Sequence, residues 1–372
     1  MSTIHRDTTT RAAHDARDMC HEAMHAGLVI KRVDPLNAES SLTTVGAGAA
    51  AENAAFFIRN HAPIPRIDAA TFRLSVSGLV DRPIAVSLDD LHRMRAVTTA
   101  VTLECAGNGR TMFDRPSKGQ TWGLGAAGTA SWTGVPLADV LARAGVRTAA
   151  SHVVFRGADI GPLDTGEDPT PLAYERSLPI EDARGDHLLL AYAMNDVPLP
   201  PARGFPLRLV VPGWYGMASV KWLTGLELTD RSASGPYQVV KYIYEWERDG
   251  RIVREPVTLM QVRAVIAEPS RDAAIARGEF VVRGVAWSGA APIAQVDVSV
   301  ADGLWQSARL TECLGAYACQ HWEFVARVER PGPCVVRARA TDRAGRTQPE
   351  AAEYNRIGYG NNSIHQVTVQ VA

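Results

Sequence analysis

The sequence predicts an α+β domain followed by an all-β sandwich domain of immunoglobulin type. Three observations lead to this fold class. The chain has 372 residues, which is enough for two domains. Up to residue 254, patterns typical of strands and short helices alternate, whereas short β-type runs separated by turns fill the remainder. We therefore predict an N-terminal extension over 1–50, a mixed domain over 51–254 and the sandwich over 255–372.

Composition indicates an ordinary soluble globular protein. The chain is 46% hydrophobic and 21% charged, with a net charge of −1. This balance gives no reason to expect nucleic acid or a membrane surface as a partner. The N-terminus shows neither an apolar signal core nor a twin-arginine signal, so we expect a cytoplasmic protein. Five scattered cysteines, an odd number, predict reduced thiols rather than a disulfide framework.

Local patterns predict the main elements of both domains. Ser87 to Asp90 has the form of a capping box that opens a short helix, and Gly145 should end a helix over Pro136–Ala144. Strands of the first domain are predicted at Phe72–Gly78, Val97–Leu103, His152–Arg156, Leu188–Tyr192 and Leu207–Val211. Those of the sandwich are predicted at Gln261–Ile266, Glu279–Trp287, Ala294–Val300, Trp322–Val328, Val335–Ala340 and Gln366–Val371.

The stretch TLECAGNGR, over 102–110, places a cysteine where a buried strand runs into a glycine loop. A thiolate is a good ligand for a soft metal, and Arg110 on the loop could bind an oxyanion in bidentate fashion. The alternative is that Cys105 is a small core residue followed by an ordinary turn. The residues alone favour this second interpretation.

Two more stretches combine apolar and cationic residues. FFIRNHAPIP over 56–65 places Arg59 and His61 after an apolar run. In GFPLRLVVPG over 204–213 and SVKWL over 219–223, a glycine-containing loop could bring backbone N–H groups to a phosphate, with charge from Arg208 and Lys221. Solvated loops with surface cations are the alternative for both stretches.

Taken in chain order and with this spacing, the three stretches resemble motifs of the sulfite oxidase family of molybdopterin enzymes. The resemblance extends from about residue 50 to the C-terminus. It implies a sulfite-oxidase-type molybdopterin-binding domain followed by an immunoglobulin-like dimerisation domain, and hence a homodimer. The implied activity is molybdenum-dependent oxidation of sulfite to sulfate, with electrons passed to an external acceptor that the sequence does not identify. We expect an enzyme without a fused haem domain, because no haem-binding segment is found in this sequence.

The resemblance also implies roles for individual residues. Cys105 would be the protein ligand of a molybdenum held by one molybdopterin. Arg59 and Arg110 would bind the anion, Trp122 would form a wall of the pocket and Tyr242 would hydrogen-bond the substrate. The implied cofactor-binding residues are Phe57, Ile58, Arg59, Asn60, His61, Asp159, Arg203, Arg208, Ser219, Val220 and Lys221. From the residues alone, Trp122 and Tyr242 would rather be interpreted as core packing.

Three positions depart from the family pattern. Arg203 stands where the family commonly has His, and Gly109 stands where a second Arg often precedes the one matching Arg110. Gln366 replaces an Arg that helps to bind substrate in some members. Fewer cations leave open another oxyanion or S-oxide redox reaction on the same cofactor. A cofactor-free binding protein built around the sandwich is a third hypothesis, which the retained Cys105 and the implied cofactor-binding residues oppose.

The N-terminal extension contains HEAMH over 21–25, a literal match to the H-E-x-x-H zinc-protease pattern. On a helix, this spacing places His21 and His25 on one face with Glu22 as a general base. Chance occurrence on a short polar helix is the favoured interpretation, because no protease domain surrounds the motif. We expect both histidines to be dispensable.

Overall fold

In a computed structural model, the chain is described over residues 17–163 and 170–372. The described chain opens with a helix over 17–25, α1, one side of which is buried. Cys20 and Ala23 on this helix pack with Leu28 and Leu36 against Ile58 of the first domain. The described part of the predicted N-terminal extension therefore lies on the body of the protein.

The elements follow one another with short connections. The remaining helices are α2 (Leu42–Gly46), α3 (Leu88–His92), α4 (Leu137–Ala144), α5 (Ile180–Ala183) and α6 (Pro236–Val239). The first fourteen strands are β1 (Val29–Arg32), β2 (Asn37–Glu39), β3 (Arg73–Gly78), β4 (Ile84–Ser87), β5 (Val97–Glu104), β6 (Ala127–Pro136), β7 (His152–Pro162), β8 (Pro171–Pro179), β9 (Leu189–Met194), β10 (Val197–Pro198), β11 (Arg208–Val210), β12 (Leu223–Thr229), β13 (Ile243–Arg248) and β14 (Arg251–Pro256). The last nine are β15 (Arg263–Glu268), β16 (Ala274–Ile275), β17 (Gly278–Trp287), β18 (Ile293–Val300), β19 (Gln306–Ser307), β20 (Arg309–Cys313), β21 (Gln320–Val328), β22 (Gly332–Asp342) and β23 (His365–Val371).

Two five-stranded sheets form the first domain. One has the order β10-β9-β6-β5, with β11 also paired to β9, and the other has the order β4-β3-β12-β7-β8. Leu74, Val153 and Leu190 belong to one large apolar core that both sheets share. A second apolar cluster, which contains Phe56, Leu103, Cys105 and Trp132, also involves β5 and β6. Cys105, which follows directly after β5, therefore belongs to this second cluster and not to the large core.

Local signals for the helices of the first domain are confirmed. The Ser87 side chain accepts from the Asp90 N–H at 3.0 Å, and the Asp90 carboxylate accepts from the Ser87 N–H at 3.0 Å, which completes the predicted capping box. Helix α4 ends at Gly145, whose φ of 72° is readily accessible to glycine. It begins at Leu137, one residue later than predicted, because β6 extends to Pro136.

The second domain consists of two facing sheets around one core. Their strand orders are β15-β17-β21-β20 and β16-β23-β22-β18-β19. Val282 and Trp322 of the first sheet pack with Val298, Val336 and Val369 of the second. All six predicted strands are confirmed, whereas the short strands β16, β19 and β20 were not predicted. The proposed boundary between 254 and 255 falls within β14 and stays a prediction.

All five cysteines lie in the described chain and are free, as predicted. Among the described residues, none of the helices has the length and apolar character that crossing a membrane requires.

Candidate active site

The Cys105 loop is held by backbone hydrogen bonds at the end of β5. This strand pairs with β6 along its whole length, from Val97 to Glu104. Just beyond it, the Cys105 N–H donates to the Ala126 carbonyl at 2.9 Å, and the Asn108 N–H donates to the Cys105 carbonyl at 2.9 Å. Cys105 is buried, with 8% of its surface exposed. The backbone that carries the thiol is thus held in place, as a metal ligand requires.

Two cavities meet at this cysteine. Arg59, His61, Cys105 and Tyr242 line both. The other side chains of the inner cavity include Phe57, Asn60, Asp159, Arg203, Arg208, Ser219 and Lys221. The outer cavity has a volume of about 730 Å³ and is also lined by Arg110, Lys118, Gln120, Trp122, Lys241, Arg254, Arg356 and Tyr359.

The inner cavity contains three cations, of which Arg203 and Arg208 are buried and Lys221 is half-buried. Arg203 donates to the carbonyls of Asn53, Ala54 and Phe56, and Arg208 donates to the carbonyls of Arg203 at 2.9 Å and Ser219 at 3.2 Å. Lys221 donates to the Ala202 carbonyl at 3.0 Å and to the Asn60 side chain. Neutral oxygens accept all of these bonds, so the bonds orient the cations without cancelling their charge.

The pKa values in this cavity reflect burial and an excess of cations over carboxylates. Burial lowers the pKa of Arg203 and that of Arg208 to about 9 each, and Arg208 lowers the pKa of Arg203 further. Burial also lowers the pKa of Lys221 well below its ordinary value, and Arg208 adds to this effect. Burial raises the pKa of Asp159 to about 6, although Lys221 opposes the shift. An anionic ligand would stabilise these cations.

Molybdopterin fits the donor set of the inner cavity. Arg203 Nε and Nη1 and Asp159 Oδ1 are buried without a hydrogen-bond partner. Unsatisfied buried polar atoms are costly, so a polar ligand here would remove several penalties together. The three cations suit a phosphate, Asp159 suits the polar edge of a heterocycle, and the Cys105 thiolate suits a soft metal.

Arg110 brings a buried guanidinium to the outer cavity. It donates to the Gln120 carbonyl at 2.6 Å, and its Cζ lies 5.4 Å from the centre of the Tyr359 ring. Its Nε atom is buried without a partner. Burial lowers the pKa of Arg110, although Cys105 and Tyr359 oppose the shift. Trp122, with 1% of its surface exposed, forms a wall of this cavity.

Tyr242 and His61 form a hydrogen-bonded pair where the two cavities meet. The Tyr242 hydroxyl is bonded to Nε2 of His61, and Tyr242 has a φ of 58°. Such a backbone conformation is unfavourable for a bulky residue and is frequent at functional sites. Burial raises the pKa of Tyr242 well above its ordinary value, and burial followed by the charge of Arg59 lowers that of His61. At neutral pH the pair therefore joins a phenol to an uncharged imidazole.

The structure brings most of the predicted site residues together. The residues that line one or both cavities are Phe57, Arg59, Asn60, His61, Cys105, Arg110, Trp122, Asp159, Arg203, Arg208, Ser219, Lys221 and Tyr242. Ile58 and Val220 line neither of them, because both side chains belong to apolar core clusters. Gln366 lies in a smaller pocket beside His365, away from the outer cavity.

Several residues near the cavities were not predicted. Asn37 accepts from the Asn60 N–H at 2.9 Å, and Glu39 accepts from the Gly123 N–H at 2.7 Å, so the supposed extension supports the site. Arg356 and Tyr359 come from the C-terminal segment in which only Gln366 had been considered. The polar, aromatic composition of residues 354–366 was a signal that could have revealed them.

HEAMH does lie on a helix, α1, as its spacing allows. His21, Glu22 and His25 are all exposed to solvent. In the described part of the chain, no group of three or more His, Cys, Asp or Glu side chains could hold a metal ion. That both histidines are dispensable stays a prediction.

Comparisons with known proteins match both domains. The family profile described as oxidoreductase molybdopterin binding domain matches residues 61–237, and that of the Mo-co oxidoreductase dimerisation domain matches 254–372. Mitochondrial sulfite oxidase of Mus musculus is 36% identical over 93% of this chain, and sulfite oxidase of Arabidopsis thaliana is 30% identical over 93%. The chain spans 66% of the mouse protein and 95% of the plant protein.

Among solved structures, the sulfane dehydrogenase SoxCD from Paracoccus pantotrophus superposes with a TM-score of 0.78. The two sequences are 28% identical, and the match covers 90% of this chain and 84% of that one. The comparisons agree with the geometry around Cys105. They comprise sequence relatives over nearly the full chain, two family profiles and one shared fold. The chain belongs to the sulfite oxidase family of molybdopterin oxidoreductases.

Proposed function

We propose that the protein oxidises sulfite to sulfate and passes the electrons to an external acceptor. The observation that carries this proposal is the position of Cys105 in the wall between two cationic cavities. One cavity suits a permanently bound anionic cofactor, and the other is wide enough for an exchangeable anion. Similarity to the sulfite oxidases of mouse and Arabidopsis supports the same reaction.

The inner cavity would hold molybdopterin. Arg203, Arg208 and Lys221 would bind its phosphate by charge-assisted hydrogen bonds, and Asp159 would contact its heterocycle. Cys105 would provide the protein's thiolate ligand. When bound, the molybdenum centre supplies oxygen transfer and accepts two electrons. The protein supplies ligation, orientation and the surrounding field.

The outer cavity would bind sulfite beside Cys105. Arg110 and Arg59 would recognise the oxyanion, and Trp122 would limit access of water. Tyr242, bonded to His61, would hydrogen-bond the substrate. In the overall reaction, sulfite and water give sulfate, two protons and two electrons. The electrons leave for the acceptor, and the protons must leave through polar groups of the outer cavity.

A second candidate function is oxidation of a larger sulfur compound, or another oxyanion or S-oxide reaction on the same cofactor. The observation that favours it is the size of the outer cavity, about 730 Å³, which lies in the range typical of sites for organic ligands. The fold shared with a sulfane dehydrogenase points the same way.

Steady-state kinetics on the metal-loaded protein would separate these functions. We expect oxidation of sulfite with at least one acceptor among cytochrome c, ferricyanide and oxygen. Thiosulfate oxidation, nitrate reduction and methionine sulfoxide reduction would be measured on the same preparation. A fully loaded protein that leaves sulfite unchanged with every acceptor, but turns over one of the others, would refute the first proposal.

We further propose that residues 255–372 form an immunoglobulin-like domain that joins two copies of the chain, and that the enzyme acts in the cytoplasm. The match to a dimerisation domain over 254–372 supports the first part. A two-fold contact of this kind would be self-complementary. Sedimentation at micromolar concentration should show a dimer, and a monomer would contradict the proposal. Cell fractionation would test the location.

A further inference from the structure

The residue before the candidate metal ligand is a buried carboxylate. Glu104 is the last residue of β5, and its side chain is fully inaccessible to solvent. It forms an ion pair with Arg263, whose Nε lies 2.9 Å from Glu104 Oε1 and whose side chain is 1% exposed. Arg263 is the first residue of β15. The pair therefore links the Cys105 loop to the second domain.

Further groups from both domains surround the Glu104 carboxylate. The Trp287 Nε1–H of β17 donates to Oε2 at 2.9 Å, and the Asn108 side-chain amide donates to Oε1 at 2.9 Å. Asn108 in turn accepts from the Ala126 N–H at 3.0 Å, and the Ala126 carbonyl accepts from the Cys105 N–H. A short chain of hydrogen bonds thus leads from Trp287 through Glu104 and Asn108 to the backbone of Cys105, and Arg263 joins it through its ion pair with Glu104.

The same contacts explain the glycine at position 109. A Cβ atom added at Gly109 would lie 3.1 Å from the Asn361 carbonyl and 3.2 Å from Nη1 of Arg263. Gly109 also has a φ of 79°. The space that a side chain would need at this turn is filled by the Arg263 guanidinium, which also donates to the Asn361 carbonyl.

We propose that Glu104 and Arg263 are positioning residues through which the second domain fixes the Cys105 loop and balances the charge beside the thiolate. This inference rests on the proposed role of Cys105 as a metal ligand. A buried ion pair has little net charge, but loss of one partner leaves a whole charge in a medium of low polarity. Groups that orient a metal ligand commonly change affinity or activity when they are replaced.

The test is the reduction potential of the molybdenum in the loaded enzyme, measured for Glu104→Gln and Arg263→Met. Glu104→Gln leaves a cation near the metal, which favours the reduced centre, so the potential should rise. Arg263→Met leaves an anion, so the potential should fall. We expect kcat to drop about 10- to 100-fold in each, with a smaller change in KM. If the ion pair had only a structural role, both variants would be less stable and neither reduction potential would change.

Asp297→Asn is the matched control. Asp297 is also a largely buried carboxylate of the second domain, and its Oδ2 lies 3.4 Å from Nε of Arg339. Its partners Gln295, Ser307 and Arg339 line neither cavity. This variant should lose thermal stability and keep the wild-type potential. A potential shift as large as that of Glu104→Gln would overturn the proposal.

Two charge-conserving variants complete the test if the others do not fold. Glu104→Asp and Arg263→Lys keep both charges and change only the reach of the side chains, so the potential should stay and kcat should fall. Wild-type kcat in both would overturn the positioning role. The thiolate charge-transfer absorption of the wild-type enzyme separates the two proposals. Its absence would refute Cys105 as ligand, whereas its presence with unmoved potentials would refute only the inference on Glu104 and Arg263.

Discussion

The cations of the two cavities that meet at Cys105 differ in their burial and in the groups that bind them. In the inner cavity, Arg203 and Arg208 are buried and Lys221 is half-buried. All three are bonded mainly to neutral oxygens, and desolvation lowers their pKa values. In the outer cavity, Arg254 and Arg356 are more exposed, and both form ion pairs with Glu245. The three inner cations thus outnumber the one carboxylate of their cavity, Asp159, whereas these two arginines of the outer cavity are paired with a carboxylate.

This difference separates permanent from exchangeable binding. Uncompensated buried cations are unfavourable until an anion occupies the site, so the inner cavity suits a ligand that stays bound. Cations that are already paired and solvated lose little when a ligand leaves, so the rim of the outer cavity suits rapid exchange. Arg110 lies between these cases, because it is buried but faces the outer cavity.

The largest expected effect is at Cys105, which both cavities share. Cys105→Ser replaces a soft thiolate by a hard oxygen donor that is protonated at neutral pH. Activity should fall by orders of magnitude and the thiolate charge-transfer absorption should disappear, while the inner cations retain the pterin. A core cysteine would instead cost about 1–3 kcal/mol of stability and leave the enzyme active. Normal turnover with an unaltered visible spectrum would exclude the ligand role.

Lys221→Met tests the inner cavity alone. Loss of one charge-assisted hydrogen bond, about 1.5–3 kcal/mol, should weaken cofactor binding roughly 10- to 150-fold. The cofactor-free variant should nevertheless melt at a higher temperature than cofactor-free wild type, because a half-buried cation that lies close to other cations is removed. Molybdenum and pterin analysis and thermal melts would measure both effects. Arg254→Gln, in the outer cavity, is the control and should keep its cofactor.

Arg110→Met tests the outer cavity alone. Loss of the guanidinium should raise KM for sulfite about tenfold to a hundredfold, with a smaller fall in kcat and unchanged cofactor content. Arg356→Gln is the matched control. The Arg356 side chain is 57% exposed and already paired with Glu245, so its KM should change less than about fivefold. Equal changes in KM for Arg110→Met and Arg356→Gln would contradict the distinction between buried and exposed cations.

The raised pKa of Asp159 predicts a pH dependence of the cofactor-free protein. A folded pKa of about 6 against an unfolded value near 3.8 means that the folded state binds more protons between these values. The free energy of unfolding should therefore fall on the order of 3 kcal/mol as pH rises from about 4 to about 7. Asp159→Asn should flatten this slope. If denaturant titrations showed the same fall in the free energy of unfolding with pH for wild type and for Asp159→Asn, the prediction would be wrong.

The smallest expected effect concerns residues that belong to neither cavity. Replacing His21 and His25 together by Ala should leave both sulfite turnover and molybdenum content unchanged, because both side chains are exposed on α1. Kinetics and metal analysis of the double variant would measure this. A large loss of either quantity would connect the N-terminal helix to the active site.

Much of the local structure follows from short stretches of sequence. The capping box at Ser87, the helix end at Gly145 and all six predicted sandwich strands are confirmed. Several strands of the first domain were not predicted, among them the long strands β6, β8 and β12. In β6, Ala127, Gly128 and Ala130 weaken the β-type pattern, yet the strand is buried between β5 and β9. Its pairing partners, rather than its own residues, stabilise it as a strand.

The sequence by itself determined the cysteine loop, the cationic motifs and the family that they indicate, because these signals lie within stretches of about ten residues. Only the tertiary structure decided which distant groups support the site. Asn37 reaches Asn60 across 23 residues, Glu39 reaches Gly123 across 84, and Trp287 reaches Glu104 across 183. Such contacts carry no local pattern, since they form only when separate sheets pack against each other and bury polar groups that must then find partners.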